Sequence, residues 1–366
     1  MSAISDREAR ILGIIETARG KRAKFRDERI TMAHGAGGKA TQTLIEGLLV
    51  PALSDADAVD APLQEMGDAG FVALGDTELA FTTDSYVVKP LRFPGGSIGE
   101  LAVNGTANDL AVSGARPLAL SLSLILEEGL ASEILRQEVQ AIAAAARAAG
   151  VSVVTGDTKV VERGHADGMY ICTAGVGVRD PRARLSPAAL RPGDRILLSG
   201  SIAEHGTAIM LARNEFELDA EIESDTRCLW PAVDALLQDV GAQLHCLRDA
   251  TRGGVASVLN ELARASSVAM IVREGEIPVA PAVAGAAEIL GIDPMYVANE
   301  GVFVAIVAPE ASERALAALR GVPGGEQAAE IGEVRSEPDG MVLIQTSFGG
   351  RRVLDQLVGD PLPRIC

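Results

Sequence analysis

The residues of this 366-residue chain best suited to chemistry are aspartates beside apolar runs. Asp84 follows LAFTT (79–83), Asp157 follows VSVVT (151–155) in the run TGDTK, and Asp249 follows HCLR. Asp68 lies in a Gly-Asp turn, MGDAG, and Asp109 within a helical stretch beside Asn108. Open α/β sheets bind ligands beyond the carboxyl ends of their strands. Hard divalent cations such as Mg²⁺ take oxygen ligands and share them between carboxylates and substrate phosphates. Converging acids repel one another unless a cation neutralises them, so the set points to metal-bound nucleotide. Taken singly, each aspartate also fits a turn or cap, Asp249 as the cap of a helix over 253–265.

A second feature is glycine-rich, His34-Gly35-Ala36-Gly37-Gly38-Lys39, ahead of a helical segment at 40–50. Amides at a helix amino terminus suit phosphate oxygens. The run is not a Walker A loop, because Ala33 stands where GxxxxGK needs its first glycine; an ordinary glycine turn fits equally well. Asn104 and Asn108, at i and i+4, share a face of their helix either as packing residues or as ligand contacts.

The third feature is Cys366, the last residue. It is too near the terminus for prenylation, and no second cysteine completes a CxxC pair. Cys172, Cys228 and Cys246 sit in apolar stretches and read as buried packing residues. From 347 onward the glycines and prolines of GGRRVLDQLVGDPLPRIC predict a mobile, extended arm of roughly 20 residues, at about 3.1 Å per residue.

The elements that must position these groups alternate between strand and helix. Strands are expected at 79–83, 118–126, 151–155 and 170–178, and helices at 97–114 and 132–149. The proline-rich 181–195 separates a first domain (30–185) from a second α/β domain (186–346), which holds a helix at 253–265 and a strand at 302–307. Residues 1–29 read as a charged helical extension rather than a signal peptide. With 33 Lys plus Arg against 50 Asp plus Glu, the net charge of −17 disfavours nucleic acid, which needs a basic patch. Apolar runs are broken well short of a membrane span, so a cytoplasmic protein is expected.

Five segments carry a family resemblance: 83–117 (TDSYVVKPLRFPGGSIGELAVNGTANDLAVSGARP), 154–164 (VTGDTKVVERG), 248–263 (RDATRGGVASVLNELA), 293–307 (DPMYVANEGVFVAIV) and the terminal PLPRIC. From about residue 30 to its end the chain resembles the hydrogenase maturation HypE family. That family belongs to the superfamily of aminoimidazole ribonucleotide synthetase, selenophosphate synthetase and thiamine-monophosphate kinase. The resemblance implies a two-domain, PurM-like α/β (α+β) fold and ATP-dependent dehydration of a carbamoyl group on the terminal cysteine. The product is a thiocyanate that supplies cyanide to the iron of [NiFe]-hydrogenase. It also implies HypF as carbamoyl donor, a HypC–HypD complex as acceptor, and a homodimer.

By the same resemblance Asp68, Asp84, Asp109, Asp157 and Asp249 bind Mg²⁺, and Gly35, Gly37, Gly38 and Lys39 close over the phosphates of ATP. Asn108 and Asp157 contact the nucleotide, and Cys366 is the carrier. Glu300, in ANEG, is the candidate base for the amide protons, against a salt bridge or cap at a strand start. Lys159 is placed to stabilise charge on the carbamoyl oxygen or the leaving phosphate. His165 is a possible proton relay, although its polar loop also suits a solvated histidine. The alternatives are a superfamily kinase or synthetase acting on a free oxygen substrate, which would need no terminal cysteine, and a non-catalytic ATP-binding partner that uses the tail only for docking or redox contact.

Overall fold

The computed structural model describes residues 24–53, 67–213 and 221–357. Most of the expected amino-terminal extension and Cys366 itself lie outside the described residues, and residues 24–29 contain no helix.

The first sheet has the order β1-β2-β7-β5-β6, from β1 (Gly70–Leu74), β2 (Thr77–Tyr86), β5 (Ala115–Glu127), β6 (Ser152–Val161) and β7 (Met169–Arg179). A short hairpin, β3 (Arg92–Phe93) with β4 (Gly96–Ser97), lies between β2 and β5 in sequence. β5 and β6 are parallel, and the Ala-rich helix Ser132–Ala149 supplies the crossover that parallel pairing needs. Two strands run further than their apolar runs suggest. Asp84 lies inside β2, and Asp157 and Lys159 lie inside β6, so none of the three follows a strand end. Pairing with β5 carries β6 through polar Thr155, Asp157, Thr158 and Lys159, because an edge strand open to solvent needs no apolar run.

The second sheet has the order β14-β13-β10-β12-β8-β11-β9: β8 (Arg195–Leu198), β9 (Leu244–Asp249), β10 (Ala269–Arg273), β11 (Phe303–Val307), β12 (Ala329–Arg335), β13 (Val342–Gln345) and β14 (Arg351–Leu354). The helix Gly254–Ala265 covers one face through Val255, Leu259 and Leu262, and Trp230–Asp239 with Ser312–Arg320 covers the other. Burial on both faces explains why β11 reads FVAIV without alternation. The arm expected from 347 is shorter than composition implied. Arg351–Leu354 pairs antiparallel with β13 because its backbone completes the sheet edge, and the glycines at 349 and 350 only turn the chain into it.

The helix Ile98–Val112 joins the two layers. All its residues except Glu100 and Asp109 are buried, including the polar Asn104, Thr106 and Asn108. Glu138 accepts from the Gly99 amide at 3.0 Å at its amino end and from Arg92 Nη1 at 2.9 Å. Near its carboxyl end Asn108 Nδ2 donates to the carbonyls of Arg227 (2.9 Å) and Glu300 (3.2 Å), and its Oδ1 accepts from the Leu229 amide at 2.7 Å. Asn108→Ala strands those buried groups and should cost about 1–3 kcal/mol. A lowered midpoint in urea checks this; an unchanged one would deny Asn108 its bridging role.

Candidate functional site

Four of the five expected metal aspartates converge at the seam between the layers. The β2 strand supplies Asp84, the central helix Asp109, the end of β9 Asp249, and the turn before β1 Asp68. The Thr82 hydroxyl lies 2.8 Å from Asp109 Oδ2 and 2.9 Å from the Asp68 carbonyl oxygen. Asp109 and Asp249 share a side-chain hydrogen bond, and Arg248 Nη1 donates to Asp68 Oδ1 at 2.8 Å. Glu300, 4 % exposed, belongs to the same cluster.

Burial pushes Asp68, Asp109, Asp249 and Glu300 toward their protonated forms, and neighbouring acids add to it at Asp109, Asp249 and Glu300. Asp109 is held well above the usual carboxylate range by loss of hydration, then by Asp249, Asp84 and Asp68. Asp249 is raised by burial, then by Asp68 and Asp84. Glu300 is raised by burial, then by Asp84, Asp225 and Asp249, with Arg252 opposing. Asp68 is raised by burial against the pull of Arg248. Acids pressed to hold protons form a donor set that a hard divalent cation would relieve. Among the described residues no three His, Cys, Asp or Glu side chains are arranged to hold a metal ion by themselves. Phosphate oxygens would therefore have to complete the coordination.

The glycine run forms a turn before the helix Lys39–Leu44. Gly37 has φ +74, and a Cβ there would come within 2.8 Å of Arg252. Arg252 Nη1 donates to the Gly35 carbonyl at 3.1 Å, and Ser257 Oγ to the Gly37 carbonyl at 3.2 Å. The Gly37 amide donates to Thr41 Oγ1 at 3.0 Å, so the turn is closed on itself and on Arg252 rather than splayed as a row of open amides. Lys39 does not point at the acids. Its Nζ meets Asp355 Oδ2 at 2.8 Å, and its amide donates to the Leu357 carbonyl at 3.2 Å. Between the turn and β1–β2 lies a cleft of about 670 Å³, lined by Gly37, Gly38, Ile45, Phe71, Val72 and Glu261.

The carboxy-terminal segment is fastened at the rim of this site. Asn260 Nδ2 donates to the Leu354 carbonyl at 3.0 Å, Tyr296 Oη to the Asp355 carbonyl at 2.9 Å, and Arg264 Nη2 to Gln356 Oε1 at 2.8 Å. Cys366 follows Leu357 by nine residues, which span at most about 30 Å.

Other expected residues stand elsewhere. Asp157 Oδ2 pairs with Lys159 Nζ at 2.6 Å, both more than half exposed on β6. Lys159, then the Thr158 amide, hold Asp157 below the usual carboxylate range. Neither faces the acids of its own chain, because β6 is the edge furthest in order from β2. His165 is exposed, with Nδ1 3.9 Å from Glu162. Asn108 spends both amide hydrogens and its oxygen on backbone, so it fixes the Glu300 loop instead of offering itself to a nucleotide. His205 and His245 are packing residues, bonded to Ser224 and Asp194 at 2.8 Å each. Arg248, Arg252, Glu261 and Asp225 escaped the sequence reading. Arg248 adjoins Asp249 and was findable as the counter-charge an acid cluster needs, whereas Asp225 sits in a stretch with no periodic cue.

Two family models match the chain: AIR synthase related protein, N-terminal domain, over 66–179, and AIR synthase related protein, C-terminal domain, over 191–345. Carbamoyl dehydratase HypE of Rhodobacter capsulatus is 47% identical over 351 residues, covering 93% of this chain and 99% of that protein. A solved HypE–HypF complex aligns with TM-score 0.80 at 41% identity, covering 86% of this chain and 99% of the other. HypE in complex with ATP aligns with TM-score 0.76 at 43% identity, covering 92% and 100%.

The raised proton affinities have a thermodynamic sign. Carboxyls that hold protons in the fold and release them when unfolded stabilise the fold in acid, and that stability is lost as pH rises through their folded values. Without divalent cation, Asp109→Asn should melt a few degrees above the parent at about pH 8, with the gap closing toward about pH 5. Differential scanning calorimetry reads this, and a variant less stable than the parent at both pH values would contradict it.

Proposed function

Because this chain belongs to the HypE carbamoyl dehydratase family, we propose that it uses ATP to dehydrate an S-carbamoyl group on Cys366 to a thiocyanate. The observation that carries the reading is the tail root, pinned beside the glycine turn, which leaves Cys366 on a nine-residue tether at the rim of a buried acid cluster.

The chemistry follows from the substrate. An amide oxygen leaves poorly, so the carbamoyl oxygen attacks the γ-phosphorus of ATP and ADP departs. Loss of one N–H proton gives an S-bound imidate phosphate. Loss of the second, with cleavage of the C–O bond, releases phosphate and forms the C≡N bond. Glu300 is the base: its raised proton affinity brings it closer to an amide proton's demand than an ordinary carboxylate. Asp68, Asp84, Asp109 and Asp249 would hold Mg²⁺, which supplies charge neutralisation on the transferring phosphoryl group. The apolar cleft suits the nucleobase, and the glycine turn with Lys39 closes on the phosphates once Lys39 exchanges Asp355 for them.

Asp157 and Lys159 enter through a second copy of the chain. The outer edge of β6 is unpaired and exposes Val153, Val154 and Val160 at 43%, 66% and 67%, an edge of the kind that a partner strand covers. Pairing across that edge would cover the exposed valines and take the Asp157–Lys159 pair into the interface between the copies. The carbamoyl donor is a HypF-type carbamoyltransferase, given the solved HypE–HypF complex, and the cyanide passes to a HypC–HypD complex.

Two measurements test this. In intact-mass spectrometry with HypF, carbamoyl phosphate and ATP, the parent gains a carbamoyl adduct and then loses one water, and Cys366→Ala gains none. An adduct on Cys366→Ala, or one that never dehydrates, sinks the carrier role and favours a kinase acting on a free substrate. In light scattering, the parent runs as a dimer and Val154→Arg as a monomer with slowed dehydration; a monomeric parent removes the second copy.

A further inference from the structure

The turn Asn299-Glu300-Gly301, just before β11, is fixed by the side chains of Asp225 and Asn108 and by its own bonds to the backbone of Ala250. Asp225 accepts from the Glu300 amide on Oδ1 at 3.1 Å and on Oδ2 at 3.2 Å, and from the Gly301 amide on Oδ2 at 2.9 Å. Asn108 Nδ2 donates to the Glu300 carbonyl at 3.2 Å. The Asn299 amide and Nδ2 both donate to the Ala250 carbonyl, at 3.1 and 2.8 Å, which ties the turn to the residue after Asp249. A Cβ on Gly301 would fall 1.9 Å from the Asp225 carbonyl oxygen, so the close approach of the two backbones requires glycine.

Asp225 itself is held firmly. It lies on 221–229, which has no regular secondary structure but is bonded on both sides of the seam. The Ser224 amide donates to the Pro94 carbonyl at 2.8 Å, and the Leu229 amide to Asn108 Oδ1 at 2.7 Å. Asp225 and Glu300 are both buried, at 8% and 4% exposure. A buried carboxylate whose oxygens each receive a peptide N–H makes charge-assisted hydrogen bonds that are short and directional. Committed to backbone in this way, it is poorly placed to accept a substrate proton and well placed to hold the peptide from which the Glu300 side chain projects.

We infer that Asp225 is a positioning residue for Glu300: it fixes the backbone that aims the Glu300 carboxyl, so its loss slows dehydration while leaving ATP binding intact. The inference rests on Glu300 being the base.

The test uses full-length carbamoylated protein and follows single-turnover water loss by intact mass over a range of ATP concentrations. Asp225→Asn places an amide N–H₂ against the two peptide donors, and a misplacement of about 1 Å can cost on the order of 10²-fold, so its limiting rate should fall about 10- to 100-fold. Half-saturating ATP should stay within about twofold, the pattern of an interaction felt only in the transition state. Asp225→Glu, which keeps the carboxylate on a longer arm, should fall between parent and Asp225→Asn. In a Glu300→Gln background, Asp225→Asn should add no further loss, because aiming no longer matters once the base is gone.

A parent-like rate for Asp225→Asn overturns the inference. So does an ATP half-saturation that shifts as far as the rate, or a double variant slower than Glu300→Gln alone. Undiminished dehydration by Glu300→Gln removes the base itself, a failure read on a different variant. Should Asp225→Asn not fold, Asp225→Glu carries the comparison: a parent-like rate or a matching loss of ATP affinity there also overturns it.

Discussion

Crowding of like charge away from water is the constraint on which the rest of this structure depends. Asp68, Asp84, Asp109, Asp249 and Glu300 come from five separate stretches of chain, and burial together with the charges of the others raises the proton affinities of Asp109, Asp249 and Glu300. Arg248 partly compensates Asp68, and Arg252 opposes the field at Glu300. Such an arrangement relaxes by rotating or solvating its carboxyls unless the backbone beneath forbids it. The scaffold does forbid it. Asp109 stands on a helix buried on nearly every side, Asp249 ends a strand packed on both faces, and Glu300 sits in a turn bonded to Asp225, Asn108 and Ala250. Rigidity here is what keeps an unfavourable charge distribution available for a cation and phosphates that make it favourable.

The same seam governs the tail. Lys39 bonds Asp355 through its side chain and Leu357 through its amide, while Arg264 reaches both Gln42, beside the glycine turn, and Gln356. Turn and tail root therefore share their fasteners, and movement of one is felt by the other.

Much of this was legible from residue types, and the failures have physical causes. The aspartates at 68, 84, 109 and 249 stood out because carboxylates next to apolar runs are conspicuous, and their convergence is a property of the topology that such runs specify. Strand ends were misplaced at Asp84 and Asp157 because hydrophobic periodicity reports burial, whereas hydrogen-bonded pairing carries a strand on into solvent. Arg351–Leu354 was hidden for the same reason: an edge strand takes its stability from its neighbour β13 and shows little pattern of its own. Asn108 was ambiguous in sequence because an amide on an apolar helix says only that partners exist, not that they are the backbone of residues 227, 229 and 300. Asp225 was invisible, since its importance lies wholly in contacts 75 and 76 residues away.

Lys159 brings these strands of reasoning together. In one chain it neutralises Asp157 on an open edge, a contact between two exposed groups that contributes little to stability. Asp157 and Lys159 stand between exposed valines at 153, 154 and 160, an odd edge, since an edge meant to stay unpaired is usually blunted by charge throughout. If a second copy covers that edge, the valines lose their contact with water and the charged pair loses much of its own.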